Sequence, residues 1–311
     1  MARIAYVDCS PMMAATLARM AAPAGLRVFE GDPDPTQLRA TIADAGVVLN
    51  GHTAMDAALL EGFPRLRSIV FLGTGASSYV DLDAAARLGM RVRTIRGYGD
   101  RSVAEHAFAL LLAAARGIAG MDRGLRAGAW TQAEGFELAD RTLGLLGLGG
   151  VGGEMARIAS GFGMRVVGWS RSGVPAGLPV EAMALDDVLA ASDVVSLHLA
   201  LVEQTRGLLD AARIARMKRG AILLNTARGA LVDEAAMLAA LASGQLGHAA
   251  LDVYAVEPLP ATHPLLARDD VTLAAHSGWK SAAAAQRLME AALRLATADA
   301  AALEAGHPLA P

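Results

Sequence analysis

Three side chains able to act on a small keto acid follow one glycine-rich turn along this chain. Arg228, Glu257 and His276 come after Gly147-Leu148-Gly149-Gly150-Val151-Gly152. A 2-oxo acid carries a carboxylate beside a ketone. A guanidinium grips the carboxylate with two parallel N–H donors and polarises the ketone oxygen, a planar geometry that lysine lacks. An imidazole, with an ordinary pKa of about 6.5, gives a proton to the alkoxide formed as hydride arrives, or removes it in reverse. Such acid–base help contributes about 10²–10⁴-fold. A carboxylate on the far ring nitrogen fixes the tautomer and favours imidazolium. The expected roles are therefore anion clamp for Arg228, proton donor for His276 and steering carboxylate for Glu257. The bland alternatives are a structural arginine in a turn, a core histidine and a surface carboxylate. The company that the three residues keep favours the chemical reading.

The glycine turn has the setting that a dinucleotide site needs. Thr142–Leu148 reads as a strand and Glu154–Ser160 as a helix, so strand, turn and helix stand in the required order. Gly147 permits the tight turn, Gly149 lets backbone approach a pyrophosphate, and Gly152 lets helix and strand pack closely. The chain holds 33 glycines, so the bare pattern is weak and its context carries the reading. The next strand ends in Trp169-Ser170-Arg171-Ser172. No carboxylate stands there to accept from a ribose 2′-hydroxyl. Arg171 can pair with a 2′-phosphate, with Ser170 and Ser172 donating hydrogen bonds. NADP(H) is the expected cofactor, with NAD(H) as the alternative; a solvated loop arginine is the bland reading.

Short apolar runs alternate with alanine- and leucine-rich helical stretches. At the front the strands are read as Arg3–Asp8, Val47–Gly51, Leu66–Leu72 and Met90–Ile95. Further on they are Thr142–Leu148, Arg165–Ser170, Asp193–Leu199, Ala221–Thr226, His248–Tyr254 and Val271–Ala275. Runs apolar nearly throughout suit parallel strands covered on both faces. Ser102-Val103-Ala104-Glu105 reads as a capping box opening a helix to about Arg116. The cofactor domain is expected over 99–279. The other domain is expected over 1–98 and 280–311, with the helical tail returning to pack on it.

The chain resembles the D-isomer-specific 2-hydroxyacid dehydrogenases, glyoxylate and hydroxypyruvate reductases among them. The motifs that carry the resemblance span most of the chain. They are Gly73-Thr74-Gly75 with Asp81, Ser102-Val103-Ala104-Glu105-His106, the glycine turn, Ser196-Leu197-His198-Leu199 and Thr205-Arg206-Gly207. Asn225-Thr226-Ala227-Arg228-Gly229, Asp252 through Pro260, His263-Pro264-Leu265 and His276-Ser277-Gly278 complete the set. Ala275 and Ala200 stand where the family usually has proline, which bears on loop stiffness. The resemblance implies an α/β fold of two doubly wound parallel-sheet domains. A Rossmann cofactor domain is inserted into a discontinuous, flavodoxin-like substrate domain, and the cleft between them holds the reactants. It implies a small 2-oxo or 2-hydroxy acid as substrate and a homodimer built on the long helix from Ser102. Leu199, Thr205, Thr226, Ala227 and Gly278 join the glycine turn (Leu148, Gly150 and Val151 included) as cofactor contacts. Asp252 either meets the nicotinamide amide or supports the site. Gly73, Thr74 and Gly75 offer backbone donors to the substrate carboxylate. Trp279 walls the pocket or meets a second subunit.

Composition narrows the rest. The chain has 311 residues, 54 % of them hydrophobic, and a formal charge of −3. A large core is expected, and no broad nucleic-acid footprint. Cys9 is the single cysteine, so no intrachain disulfide forms. No apolar run reaches the roughly 18 residues of a membrane span. Asp8 interrupts any early secretion signal, so a cytoplasmic location is expected. His52, His248, His263 and His307 have no metal-ligand spacing, and His106 reads as structural. Arg91, Arg93 and Arg96 read as solvated around a strand. The rival functions are a dinucleotide-sensing partner that turns nothing over, and a dehydrogenase of another small anion such as phosphite.

Overall fold

The computed structural model describes residues 3–307 and 309; residues 1, 2, 308, 310 and 311 of the expected substrate domain lie outside them. The chain divides into two compact units, Met1–Gly99 with Lys280–Pro311, and Asp100–Trp279. Each is built on a parallel sheet.

The first unit has β1 (Ile4–Cys9), β2 (Arg27–Glu30), β3 (Val47–Asn50), β4 (Ser68–Phe71) and β5 (Arg91–Thr94), in the order β2-β1-β3-β4-β5. That is the flavodoxin-like order. Each of β1, β3 and β4 is buried along its whole length, as expected of strands with helices on both faces. The helix Ala282–Glu304 packs against β3 and β4. Ser281 caps it by accepting from the Ala284 amide at 3.2 Å. Its buried stripe, Leu288, Met289, Ala292, Leu293, Ala296 and Ala300, recurs at three- and four-residue spacing.

Asp299 lies on that stripe at 1 % exposure. It ion-pairs with Arg93 at 2.8 Å and Arg91 at 3.5 Å, and accepts from the Ser68 hydroxyl at 2.7 Å. The expectation of solvated arginines on β5 is thus corrected for Arg91 and Arg93. A carboxylate buried by the returning helix needs cationic partners, and an edge strand supplies them.

The second unit has β6 (Thr142–Leu146), β7 (Arg165–Trp169), β8 (Glu181–Ala182), β9 (Val194–Leu197), β10 (Ala221–Asn225), β11 (Leu246–Leu251) and β12 (Val271–Leu273). Their order is β12-β11-β10-β9-β6-β7-β8, the doubly wound Rossmann arrangement with its reversal beside β6. Alternation along the strands feeds two cores. Leu146, Val195, Leu197, Leu223 and Leu251 face one; Leu143, Leu145, Val194, Ile222 and Leu224 face the other.

The register makes the strands end level. Trp169 pairs with Leu146, Leu146 with Leu197, Leu197 with Asn225, Asn225 with Leu251, and Leu251 with Leu273. Six loops therefore leave one straight rim.

Two expectations change. The helix expected from a Ser102 cap begins at Asp100, so Ser102 lies inside its first turn, and Glu105 pairs with Arg101 at 2.8 Å instead. Strands β2 and β8 add to the expected set. Among the described residues no single helix is long and apolar enough to cross a membrane.

Replacing Asp299 by alanine leaves Arg91, Arg93 and Ser68 without their shared acceptor. We expect a loss of about 3 kcal/mol, the low end for an uncompensated buried charge because the Arg91 and Arg93 side chains remain 21 % and 23 % exposed. Urea unfolding followed by circular dichroism measures it; a loss below about 1 kcal/mol contradicts this account of the first unit.

Candidate active site

The glycine turn begins one residue past the rim. Gly147 has φ 102° and donates its amide to the Trp169 carbonyl at 2.8 Å. A side chain there would collide with the His198 carbonyl, and one on Gly152 with the carbonyl of Gly147. Both glycines are demanded by backbone packing. Gly149 differs: a Cβ there would meet nothing within 4 Å. It caps the helix Gly150–Gly161 without any side-chain hydrogen bond. The open space at Gly149 suits an anion such as a pyrophosphate, while a Cβ on the next residue, Gly150, would strike the Asp100 carboxylate, which lies against the same helix start. The Thr226 hydroxyl, on the same rim, is buried and has no hydrogen-bond partner among the described residues. These features fit a dinucleotide.

Beyond β7, Ser170 and Ser172 bring their hydroxyls to 3.2 Å. Arg171 between them is exposed. Beyond β9, the half-buried His198 meets the Ser196 hydroxyl at 2.8 Å; loss of solvation lowers its pKa to about 4. Leu199 is half-buried. The Thr205 hydroxyl donates to the Ala200 carbonyl at 2.7 Å and accepts from the Val202 amide at 2.8 Å. It knits its own loop together beside Ala200.

The next three loops carry the chemical residues. Asn225, at the end of β10, accepts from the Ala227 amide at 3.0 Å and donates to the Arg228 carbonyl at 2.9 Å. This buried side chain ties down the turn that presents Arg228. The half-buried Arg228 head donates to the Ala227 carbonyl at 2.6 Å. A Cβ on Gly229 would strike the Tyr254 backbone, so glycine lets the Arg228 turn lie directly against the loop after β11.

That loop holds Glu257. Its carboxylate accepts from the Tyr254 amide at 2.9 Å and meets His276 Nδ1 at 2.6 Å. Tyr254 is braced by its hydroxyl on the Ala274 carbonyl at 2.7 Å. Burial works to raise the Glu257 carboxyl. The His276 and Tyr254 hydrogen bonds, with the charges of His276 and Arg228, outweigh it and hold the group below its ordinary value. It stays ionised at neutral pH.

His276 sits three residues past β12 at φ 48°, a left-handed conformation costing an ordinary side chain about 1 kcal/mol or more. Its amide donates to the Asp252 carbonyl at 2.8 Å. The next two amides, Ser277 and Gly278, donate to the Asp252 carboxylate at 2.9 Å each. Asp252 is 1 % exposed. Burial works to raise its carboxyl, but His106 and these two amides hold it below its ordinary value. Asp252 thus underpins the His276 loop from β11, with both oxygens engaged inside the chain. Trp279, half-buried, follows directly.

In the first unit, Gly73-Thr74-Gly75 follows β4. The Gly73 amide donates to the Phe71 carbonyl at 2.9 Å, so the expected anion contact falls to Thr74, which is exposed, and Gly75. Sequence reasoning assigns no role to Asn225 or Tyr254. A lone asparagine closing the apolar run Ala221–Asn225 was the available signal for the first.

A family model described as D-isomer specific 2-hydroxyacid dehydrogenase, NAD binding domain matches residues 108–278. The chain belongs to the D-isomer-specific 2-hydroxyacid dehydrogenase family. Its second unit carries the family's nicotinamide-dinucleotide-binding domain. A second model, Rv3660c-like, CheY-like N-terminal domain, matches residues 7–93. The glyoxylate reductase of Aeropyrum pernix is 40 % identical over 235 residues, 72 % of this chain and 70 % of that protein. The D-3-phosphoglycerate dehydrogenase of Mycobacterium leprae is 39 % identical over 261 residues, 82 % of this chain and 49 % of that protein, so the chain spans about half its length. A solved structure, the TT0316 protein from Thermus thermophilus, superposes with a TM-score of 0.85 at 35 % identity, covering 99 % of each chain.

Asp252 yields a pH-dependent prediction. Its carboxyl is depressed in the folded protein, so its stabilisation is complete above the unfolded value of about 3.9 and fades as pH falls through the lower folded value. Asp252→Asn keeps one acceptor and turns an N–H toward a donor. We expect the variant to be about 1–3 kcal/mol less stable at neutral pH. The gap should narrow below about pH 4. Urea titrations across pH measure it; a gap that widens on acidification contradicts the assignment.

Proposed function

We propose that this chain reduces small 2-oxo acids, such as glyoxylate or hydroxypyruvate, to D-2-hydroxy acids, with NADPH preferred over NADH. The observation that carries the reading is the 2.6 Å contact between Glu257 and His276 Nδ1. The similarity to a glyoxylate reductase supports the substrate class. When bound, the reduced nicotinamide supplies the hydride.

Arg228 binds the substrate carboxylate through its guanidinium and draws charge toward the adjacent ketone oxygen. Glu257 occupies Nδ1 of His276, so Nε2 is the atom that gives the proton to that oxygen. The ionised Glu257 stabilises the imidazolium before transfer and holds the ring's orientation throughout. Arg171 and the two serines beside it receive the cofactor's 2′-phosphate. Among the described residues Arg171 has no ion-pair partner, which leaves its charge for that contact. Ile118, Leu125 and Trp130, exposed at 51 %, 53 % and 83 %, support a homodimer as the working form. We place that dimer in the cytoplasm.

The test is NADPH oxidation with glyoxylate and hydroxypyruvate. His276→Asn should lower kcat by about 10²–10⁴-fold while dinucleotide affinity stays near the parent's. Arg228→Ala should lower kcat/KM by about 10²-fold or more. Near-parental turnover in either variant contradicts that residue's role. For the cofactor, fluorescence titration should show tighter NADPH than NADH binding. Arg171→Ala should shrink the ratio roughly tenfold, as loss of a charged hydrogen bond implies. Tighter NADH binding by the parent rejects the preference.

A further inference from the structure

We propose that His106, on the helix Asp100–Ala115, is a positioning residue for the His276 loop and acts through Asp252. The inference rests on His276 being the proton donor and adds a residue that touches neither reactant. The Asp252 carboxylate receives three donors: the Ser277 and Gly278 amides at 2.9 Å each, and His106 Nε2 at 3.2 Å. A carboxylate only accepts, so Nε2 of His106 carries the proton in this contact.

The three donors are not equivalent. Two belong to the His276 loop. If they alone held Asp252, carboxylate and loop could shift together with every bond kept. His106 arrives from a helix 146 residues away in sequence and ties Asp252 to an element outside the loop. The packing agrees. A Cβ built on Gly278 would stand 3.1 Å from Asp252 Oδ2, 3.5 Å from His106 Cδ2 and 3.7 Å from Val103 Cγ1. The helix, the carboxylate and the loop meet at a residue without a side chain.

An outside tie matters because His276 holds φ 48°. A side chain in that region stays there only where its surroundings over-determine it. The amides of His276, Ser277 and Gly278 all end on Asp252, so the orientation of Asp252 sets where the imidazole stands. A displacement of the proton donor by about 1 Å costs on the order of 10²-fold in rate.

The test uses the full-length protein and compares His106→Phe, which keeps ring volume without the donor, with His106→Gln, which keeps an N–H without the ring. We expect the Phe variant to lose about 10–100-fold in kcat. Its Kd for NADPH, read by fluorescence titration, should stay near the parent's. We expect the Gln variant to return kcat to within about threefold of the parent. A merely structural histidine would lower thermal stability in both and leave kcat unmoved. Parental kcat in the Phe variant overturns the proposal. So does failure of Gln to restore it, which would implicate ring packing. If Phe does not fold, His106→Leu takes its place with the same expectation. His276→Asn, assayed alongside, separates the two readings. If it is inactive while the Phe variant is parental, the positioning role alone falls. If it is fully active, the proton-donor reading falls and takes this one with it.

Discussion

A level edge is the constraint on which the site depends. In the second unit one row of paired residues, Trp169, Leu146, Leu197, Asn225, Leu251 and Leu273, closes six adjacent strands. A parallel ladder slipped by one residue would turn every side chain to the opposite face and exchange the two cores. The apolar alternation that fills those cores therefore fixes the register, and the register fixes the rim. Every loop considered for cofactor or catalysis in this unit starts within a few residues of it. The placing of these loops is a consequence of core packing before it is a matter of individual side chains.

Above the rim, short polar ties convert a common starting line into a defined constellation. Asn225 holds the Arg228 turn, Tyr254 braces the loop of Glu257, and Asp252 gathers the amides of the His276 loop. Each tie is buried or half-buried, where an unmet donor is expensive, so each has a strongly preferred geometry. The loops approach so closely that glycine is required at 229. The two carboxylates divide the labour by environment. Asp252 is enclosed and faces two backbone amides and the His106 ring, while Glu257 is more open and faces the His276 ring and one amide. Both are held ionised by their hydrogen bonds against the opposing effect of burial.

Much of this was legible in the sequence because parallel strands are apolar on both faces and announce themselves as short uniform runs. The apolar pattern overruns several strand ends by one to three residues, to Leu72, Leu148 and Tyr254, because single apolar residues recur past the last ladder pair. Strands β2 and β8 escaped because Arg27–Glu30 is only half-buried and Glu181–Ala182 is two exposed residues long, too little for any periodicity. Ser102 looked like a cap because Glu105 stands three residues on. Arg101 supplied a stronger partner for that glutamate, and the helix began earlier. The long-range ties were invisible in principle. Nothing local connects Arg93 with Asp299, or His106 with Asp252; only the folded topology does. The chemical trio was readable from residue type and order, but its geometry required the register.

The most direct measurement is a crystal structure of the protein with NADPH and oxamate, an unreactive analogue of a 2-oxo acid. The account predicts the oxamate carboxylate on the Arg228 guanidinium and its carbonyl oxygen at about 3 Å from His276 Nε2, with Glu257 still on Nδ1. Oxamate bound away from Arg228, or a His276 ring turned so that Nε2 faces Glu257, would contradict it.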